Sequence, residues 1–224
     1  MTKLKYYLRR FFYSLFVENF NKKIKYNWDS LPRRYDIINK IILKRKYISY
    51  LEIGCFKNEN FNQINIDKKI GVDPVSGGNM TMTSDQFFKQ NSLKFDIIFI
   101  DGLHVYDQVI KDIFNSIKIL NQNGIILVHD CLPRKLWYQT PTRMSNTWNG
   151  DVWKAIVHCR TLENIDTYTC LADEGIGVIK VQKNNNLLKL KLSNFKQLKY
   201  KDYYLDRQNL MNIISSEKLI NEIS

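Results

Sequence analysis

The sequence has no uninterrupted apolar run near the ~20 residues that a membrane-spanning helix needs, so a chain that crosses the bilayer is excluded. Its first apolar stretch, FFYSLFV, is short and is followed by Glu18, Asn19 and two lysines rather than by a small-residue cleavage site, which argues against a secretory signal. The four cysteines have no zinc-type spacing, and a chain of 224 residues with 44% hydrophobic content needs no disulfides. We therefore expect a cytoplasmic protein.

Acidic residues are scarce in the first part of the chain. Residues 1–50 contain 13 Lys and Arg against 3 Asp and Glu, whereas residues 51–224 contain 21 against 19. The net charge of +12 therefore comes mostly from an N-terminal extension, and the rest of the chain is nearly neutral. A nucleic-acid partner would have to use the extension as its electrostatic contact.

Residues 3–20 have the pattern of an amphipathic helix, with apolar side chains at three- and four-residue spacing and basic residues between them. The shared apolar face comprises Leu4, Leu8, Phe11, Phe12, Leu15 and Phe16. Two interpretations stay open. The helix is either an arm that packs on the domain or on a second copy of the chain, or an interfacial anchor attracted to anionic lipid at the inner membrane face.

After residue 46, short apolar runs alternate with helical patterns, which is typical of a parallel sheet covered by helices on both faces. The predicted strands are Tyr47–Gly54, Lys69–Asp73, Phe95–Asp101, Ile125–Val128, Asp166–Leu171 and Gly175–Val181, the last two forming an antiparallel hairpin. The prediction is an α/β fold: a Rossmann-like, doubly wound, mostly parallel seven-stranded sheet with an antiparallel terminal hairpin.

Helical patterns complete the organisation of the chain. One helix is predicted from Asp29 or Ser30 to Lys46 with Pro32 in its first turn, one over residues 105–120 ending at Asn123-Gly124, and one over residues 148–160. We predict a basic helical extension over residues 1–46 and a Rossmann-like domain over residues 47–182. A Lys/Asn-rich extension over residues 183–224 should end in a helix from about Arg207.

Polar groups follow four strands in succession, at the edge of a parallel sheet where ligands bind. Gly54 ends the first strand, and Asp73 comes 19 residues later, the spacing at which a carboxylate holds the ribose hydroxyls of a nucleotide. Asp101 and His104 follow another strand, and a His-Asp pair at 129–130 follows the next. The turn lacks the full G-x-G-x-x-G, which disfavours an NAD-dependent dehydrogenase and suits S-adenosylmethionine, a cofactor without phosphate.

The succession LEIG, GVDP, MTSD, FDIIFIDGLHVYDQVIKDI and GIILVHDCLP resembles class I S-adenosylmethionine-dependent methyltransferases. More narrowly, it is similar to the macrolide-sugar O-methyltransferase-like subgroup associated with sugar and polysaccharide biosynthesis, over about residues 47–181. Asp101 is expected beside the cofactor. The resemblance further implies that the methionine side is lined by Glu52, Gly54 and Cys55, that the ribose is held by Asp73, and that the adenine lies near Ser84 and Asp85.

Methyl transfer to a hydroxyl requires positioning of the reactants and removal of the hydroxyl proton. Two devices are open. His104 can act as a general base, because an unperturbed imidazole has a pKa of about 6.5, although it can instead cap the following helix. Alternatively, Asp101 and Asp130 can share Mg²⁺, which lowers the pKa of a bound hydroxyl. Metal-dependent relatives usually have a third oxygen ligand where this chain has Cys131.

The segment that starts at Trp148 has two interpretations, a helix with a tryptophan core face or a lid whose aromatic rings stack on a sugar. The candidate substrate residues are His129, Trp148, Asp151, Trp153 and Lys154. We expect O-methylation of a hydroxyl on a sugar or glycan precursor. The alternatives are a nucleic-acid methyltransferase or binder, which the nearly neutral domain disfavours, and a non-catalytic relative. A homo-oligomer stays open.

Overall fold

The computed structural model describes residues 3–223, so residues 1, 2 and 224 of the two predicted extensions lie outside the described part of the chain. The helices are α1 (Lys3–Phe16), α2 (Arg34–Arg45), α3 (Ser84–Gln90), α4 (Tyr106–Lys118), α5 (Val152–Arg160), α6 (Tyr200–Met211) and α7 (Ser216–Glu222). The strands are β1 (Ser49–Ile53), β2 (Lys68–Asp73), β3 (Met80–Thr81), β4 (Phe95–Ile100), β5 (Leu120–Val128), β6 (Asp166–Leu171), β7 (Ile176–Lys180) and β8 (Ile213–Ser215). Among the described residues, none of the helices has both the length and the apolar character needed to cross a bilayer.

All eight strands form one sheet in the order β3-β2-β1-β4-β5-β7-β6-β8. The pairs from β3 to β5 are parallel, β7 runs antiparallel to both β5 and β6, and β8 is parallel to β6. The predicted Rossmann-like architecture and its antiparallel hairpin are confirmed. The sheet has eight strands instead of seven, because β3 and β8 contain only two and three residues and leave no readable pattern.

The sheet separates two hydrophobic cores. One face packs under α3 to α6, and the other face packs under α2 and α7. Alternation along β1 and β4 supplies both cores: Leu51 and Ile98 face the first, whereas Tyr50 and Ile97 face the second. This double coverage explains why β4 is apolar along nearly its whole length. All four cysteines are buried and free.

Two predicted boundaries are wrong, each for a local reason. Asn123-Gly124 does not end a helix but lies inside β5, where the pairing with β4 shifts register and Asn123 adopts a φ of 62°. Pro32 precedes α2 and is not in its first turn, because the residue before a proline disfavours helical geometry and Leu31 is extended. The helix predicted from about Arg207 corresponds to the second part of α6, which begins at Tyr200 and has non-helical backbone angles at Asp206.

The proposed division of the chain at residues 46 and 182 stays a prediction. Helix α2 buries Ile37, Ile38 and Ile41 completely in the second core, and β8 extends the sheet beyond β6. Both predicted extensions therefore contribute secondary structure that packs on the central sheet.

Candidate active site

A cleft of about 580 Å³ opens at the carboxyl ends of β1, β2 and β4, where the strand order reverses. This is the switch point at which open α/β sheets bind ligands, and the volume is typical of a small-molecule site. Four aspartates line it, together with apolar residues such as Ile53, Val72 and Leu103. The four are Asp73, Asp85, Asp101 and Asp112.

Gly54 forms the turn between β1 and the cleft. Its φ is +89°, and a Cβ atom built there would lie 2.3 Å from the carbonyl oxygen of Asp101. Only glycine allows this conformation and this close approach of the β1 and β4 loops. Asn58, which stands where a further glycine is usual, has a φ of 63°, and its Oδ1 accepts a hydrogen bond from the Gly78 amide. Asparagine is among the residues that tolerate this region of backbone space.

Asp73 closes β2 at the floor of the cleft. Its Oδ2 accepts from the Phe56 amide at 2.9 Å, and its Oδ1 accepts from the amides of Val75 and Ser76 at 2.8 and 2.9 Å. Burial opposes the charge, but the three amides outweigh it and lower the pKa of Asp73. The carboxylate is therefore fixed in its charged form, with lone pairs left for a ligand.

The far end of the cleft joins α3 to α4. Gln108 Nε2, which has two N–H donors, lies 3.0–3.2 Å from three acceptors: Ser84 Oγ, Asp85 Oδ1 and Asp112 Oδ1. Burial raises the pKa of Asp112 to about 6, against hydrogen bonds from Ser84 and Gln108. Gln108 and Asp112 are not among the residues predicted from the sequence. The signal was available for Asp112, a buried carboxyl on the apolar face of α4 beside Ile113.

Glu52 and Cys55, predicted to line the methionine side, lie beneath the cleft and are buried. Glu52 accepts hydrogen bonds from the Tyr50 hydroxyl and from Asn60 Nδ2, and burial raises its pKa to about 7. The Cys55 thiol faces the Glu52 carbonyl oxygen at 3.8 Å, and burial raises its pKa. Neither side chain lines the cleft, so both support its floor.

The charges of the cleft exclude a class of ligand. Among its lining residues, all of them in the described part of the chain, four are aspartates and none is Lys or Arg. Two of these carboxylates have a partner outside the lining: Lys111 Nζ is 2.6 Å from Asp85 Oδ2, and His129 Nδ1 is 3.1 Å from Asp101 Oδ1. A phosphate group would still meet the carboxylates with no lining cation to offset their charge. The cleft therefore disfavours a dinucleotide and favours a ligand that carries positive charge.

Beside the cleft lies a second set of residues, the His-Asp cluster, formed by Asp101, His104, His129 and Asp130. His104 lies between two carboxylates: its Nε2 is 3.3 Å from Asp101 Oδ1 and its Nδ1 is 3.0 Å from Asp130 Oδ2. The same Nδ1 is 2.9 Å from the carbonyl oxygen of Trp148. Because both ring nitrogens face acceptors only, the ring donates from both and is an imidazolium.

The pKa of His104 agrees with this geometry. Burial opposes its charge, but Asp130 and Asp101 outweigh burial and raise its pKa to about 9. The premise that an unperturbed imidazole acts as a base at neutral pH therefore does not hold. The alternative role as a helix cap is not seen either, because Asp151 Oδ1 accepts from the Tyr106 amide, the first amide of α4, at 2.7 Å.

His129 is held in the cluster by contacts that involve two residues not predicted from the sequence, Arg34 and Asp173. His129 Nδ1 is 3.1 Å from Asp101 Oδ1, and its Nε2 donates to the carbonyl oxygen of Asp173 at 2.8 Å. Arg34 donates to Asp173 Oδ2 from its amide and from its guanidinium at 2.9 and 3.0 Å. His129 is buried and therefore positions Asp101 instead of facing a substrate. No motif connects Arg34 with Asp173, since 139 residues separate them.

One donor set in the cluster fits a divalent cation. Asp101, His104 and Asp130 each offer a ligand atom, His104 once its Nε2 proton is lost, and these atoms lie within 4.8 Å of one another. Cys131, at the position of a third oxygen ligand in related enzymes, points its thiol to the Val128 carbonyl oxygen at 3.2 Å and is buried. His104 thus supplies the third donor that the sequence left open. A set of two carboxylates and one imidazole suits Mn²⁺ or Fe²⁺ better than Mg²⁺, which prefers oxygen ligands.

The candidate substrate residues divide into two groups. Trp148 is half-buried, and its ring stacks on His104 with centroids 5.3 Å apart and an interplanar angle of 27°. Asp151, Trp153 and Lys154 are buried and engaged elsewhere. Trp153 Nε1 donates to Gln139 Oε1, and Lys154 Nζ donates to the Lys196 carbonyl oxygen. The segment has two interpretations. Trp153 fits the first, a helix with a tryptophan in the core, and Trp148 is the candidate of this segment that lies beside the His-Asp cluster.

Comparison with known proteins agrees with this geometry. Residues 58–131 match a family model described as "Methyltransferase domain", a segment that contains Asp73, Asp101, His104 and Asp130. About a third of the chain is therefore similar to a methyltransferase domain. Among curated protein sequences none matches the chain.

Solved structures of methyltransferases and of other proteins resemble the chain at low identity, and the first of the three described here shares its fold. Cofactor-bound Rv0187 from MTB is 11% identical over 79% of this chain and 97% of its own, with a TM-score of 0.50. An O-methyltransferase from Bacillus cereus in complex with SAH is 10% identical over 80% and 90%, with a TM-score of 0.48. The O-methyltransferase TomG from Streptomyces achromogenes in complex with SAM is 10% identical over 81% and 99%, with a TM-score of 0.47.

Proposed function

We propose that the protein transfers the methyl group of S-adenosylmethionine to a hydroxyl of a sugar or glycan precursor in the cytoplasm. The choice of cofactor rests on the charge of the cleft, which has four lining aspartates and no lining Lys or Arg. S-adenosylmethionine has a sulfonium and an ammonium group that such a site attracts, and it has no phosphate for the site to repel. The fixed carboxylate of Asp73 suits the two ribose hydroxyls.

The side chains around Trp148 support a sugar as the methyl acceptor. A half-buried aromatic ring beside carboxylates offers a face for the C–H surface of a sugar and acceptors for its hydroxyls. Asp101 lines the cleft and also belongs to the cluster, so it joins the cofactor side to the acceptor side. The acceptor hydroxyl would therefore bind near Asp101 and Trp148.

A divalent cation fits this proposal. Asp101, His104 and Asp130 would hold it, and it would supply a lowered pKa for an acceptor hydroxyl bound to it. The chain's own residues prepare the donors: His104 Nδ1 donates to the Trp148 carbonyl oxygen, which aims Nε2 toward Asp101. Asn149 Nδ2 donates to Asp130 Oδ1 at 2.7 Å and holds that carboxylate in place.

Calorimetric titration with S-adenosylmethionine tests the cofactor. We expect the wild type to bind and Asp73→Asn to bind at least about tenfold more weakly, since an amide cannot accept as a carboxylate does. Asp96→Asn is the matched control, because Asp96 also accepts from two backbone amides, but at the opposite end of the sheet. Equal binding by all three proteins, or a folded wild type that does not bind, would contradict the proposal.

The acceptor is tested separately. The wild type, the cofactor and a panel of nucleotide sugars and short glycans are incubated with Mn²⁺, with Mg²⁺ or with a chelator, and methylated products are detected by mass spectrometry. Methylation of a sugar hydroxyl is the expected result. Methylation of nucleic acid or protein in the same assay, with no sugar product, would replace the proposed acceptor while leaving the cofactor assignment intact.

A further inference from the structure

Helix α1 carries its apolar face outward. Tyr7, Phe12 and Phe16 are 66%, 56% and 79% exposed, and the whole face remains open to solvent. The exposed apolar side chains of this segment are Leu4, Tyr7, Leu8, Phe11, Phe12, Leu15, Phe16 and Val17. Scattered exposed apolar residues need no explanation, but eight of them on one short segment form a contiguous patch that implies a partner.

The opposite face of α1 attaches the helix to the protein. Arg10 Nε donates to the Met144 carbonyl oxygen at 2.8 Å, and its guanidinium lies over the Trp137 ring. Tyr13 contacts the same ring edge-on, with centroids 6.1 Å apart. The helix is thus fixed by its polar and aromatic inner face, and its apolar side chains do not contribute to the core.

The charges around this face favour one occupant. Residues 3–17 contain no Asp or Glu, and Lys22, Lys23 and Lys25 are exposed in the segment that follows the helix. Because residues 1–50 have a net charge of +10, a second copy docked on this face would bring two strongly basic segments together. An anionic lipid surface would bury the apolar side chains and also neutralise the lysines.

The length of α1 decides its orientation. A helix of 14 residues is about 21 Å long, which is shorter than the ~30 Å hydrocarbon core of a bilayer. It can therefore lie in the interface but cannot cross it. The inner face of α1 contacts Trp137 and Met144. These two residues belong to the same loop as Trp148, which lies beside the His-Asp cluster.

We propose that the outer face of α1 docks on the surface of an anionic lipid bilayer, with its aromatic and aliphatic side chains in the headgroup region and the exposed lysines of residues 22–25 against the lipid phosphates. Docking places the loop that contains Trp148 about one helix diameter, ~10 Å, from the lipid surface. The bilayer is then the partner that covers the open face of α1.

Vesicle flotation of the full chain tests this proposal. Vesicles of phosphatidylcholine with phosphatidylglycerol are compared with vesicles of phosphatidylcholine alone, at low and at high salt. We expect binding to the anionic vesicles, weak binding to the neutral ones, and loss of binding as salt screens the lysines.

Two variants with matched controls separate the apolar contribution from the charge. Phe12→Ser with Phe16→Ser should weaken binding at least about tenfold, whereas Leu43→Ser, which alters an 81% exposed leucine on α2, should leave it unchanged. Lys22→Gln, Lys23→Gln and Lys25→Gln together should also weaken binding about tenfold. The control for that variant carries the same loss of charge elsewhere, at Lys183, Lys189 and Lys191, which are exposed in the C-terminal segment.

Several results would overturn the proposal. One is equal binding to neutral and anionic vesicles. Another is a control variant that weakens vesicle binding as much as the α1 or lysine variant with which it is matched. A third is a wild type that does not float but sediments as a dimer, with Phe12→Ser and Phe16→Ser restoring the monomer, because a second copy would then cover the face. S-adenosylmethionine titration of each variant confirms folding and keeps this test separate from that of the catalytic function.

Discussion

The cleft and the His-Asp cluster share Asp101 but are built in opposite ways. The cleft comes from one continuous part of the chain, residues 53–112, and its aspartates have no cation among the lining residues. The cluster lies within residues 101–130, but its support, Arg34 and Asp173, comes from distant parts of the chain. The two histidines lie against the carboxylates of the cluster. The negative charge of the cleft is only partly balanced, by Lys111 beside Asp85 and by the histidines beside Asp101, and such a site is suited to a cationic ligand. The cluster instead pairs each of its carboxylates with a histidine, which holds the carboxylates in position.

Gly54→Ala should have the largest effect, because it affects both regions at once. The new Cβ would lie 2.3 Å from the Asp101 carbonyl oxygen, at a φ of +89° that alanine disfavours. We expect a loss of about 3 kcal/mol or more in the free energy of unfolding, measured by urea denaturation, and loss of cofactor binding.

Gly102→Ala is the control for that change. A Cβ at Gly102 would meet its nearest neighbour, Ile53 Cγ2, at 3.4 Å, which is an ordinary contact. We expect a change under about 1 kcal/mol. A Gly54→Ala protein as stable as Gly102→Ala would show that the β1 and β4 loops can separate without cost.

The same comparison explains what the sequence could predict. The strands and the candidate residues of the cleft, such as Gly54 and Asp73, lie in short segments with local patterns. Both residues line the cleft, and their roles toward a cofactor stay predictions. The cluster depends on contacts such as that between Arg34 and Asp173, which no local pattern records. The register shift along β5 could not be predicted either, because Asn-Gly is typical both of a turn that follows a helix and of an irregularity within a strand.

The pH dependence of stability should distinguish the two regions. Burial opposes the charge on His129, but Asp101 and Asp130 raise its pKa to about 9, with Arg34 acting in the other direction. A pKa raised above the unfolded value of 6.5 gives stability that is complete below pH 6.5 and is lost as pH rises through 9. A shift of this size corresponds to on the order of 3 kcal/mol, at 1.36 kcal/mol per pKa unit, and His129 shares it with His104 because both face the same carboxylates.

Urea denaturation between pH 6 and pH 9.5, in the presence of a chelator, measures this effect. Stability of the wild type should decline over that range, and His129→Asn should lose roughly half of the decline, because His104 also has a pKa raised to about 9. Asp73→Asn, in the cleft, should keep the wild-type slope, since the pKa of Asp73 is lowered and the group does not titrate there. Parallel curves for the wild type and His129→Asn would refute the charge balance of the cluster.

Asp112→Asn should have the smallest effect and the opposite sign. Burial raises the pKa of Asp112 to about 6, so its ionised form destabilises the fold at neutral pH. The substitution should raise the free energy of unfolding by about 1–2 kcal/mol at pH 7 and by almost nothing at pH 4, where the carboxyl is protonated. Asp107→Asn, an exposed position on the same helix, should change stability by less than about 0.5 kcal/mol at either pH.

Because the cleft would lose one of its four carboxylates, its affinity for S-adenosylmethionine should fall a fewfold while stability rises. A stabilised variant with unchanged affinity would show that Asp112 does not contribute to the charge that draws the cofactor.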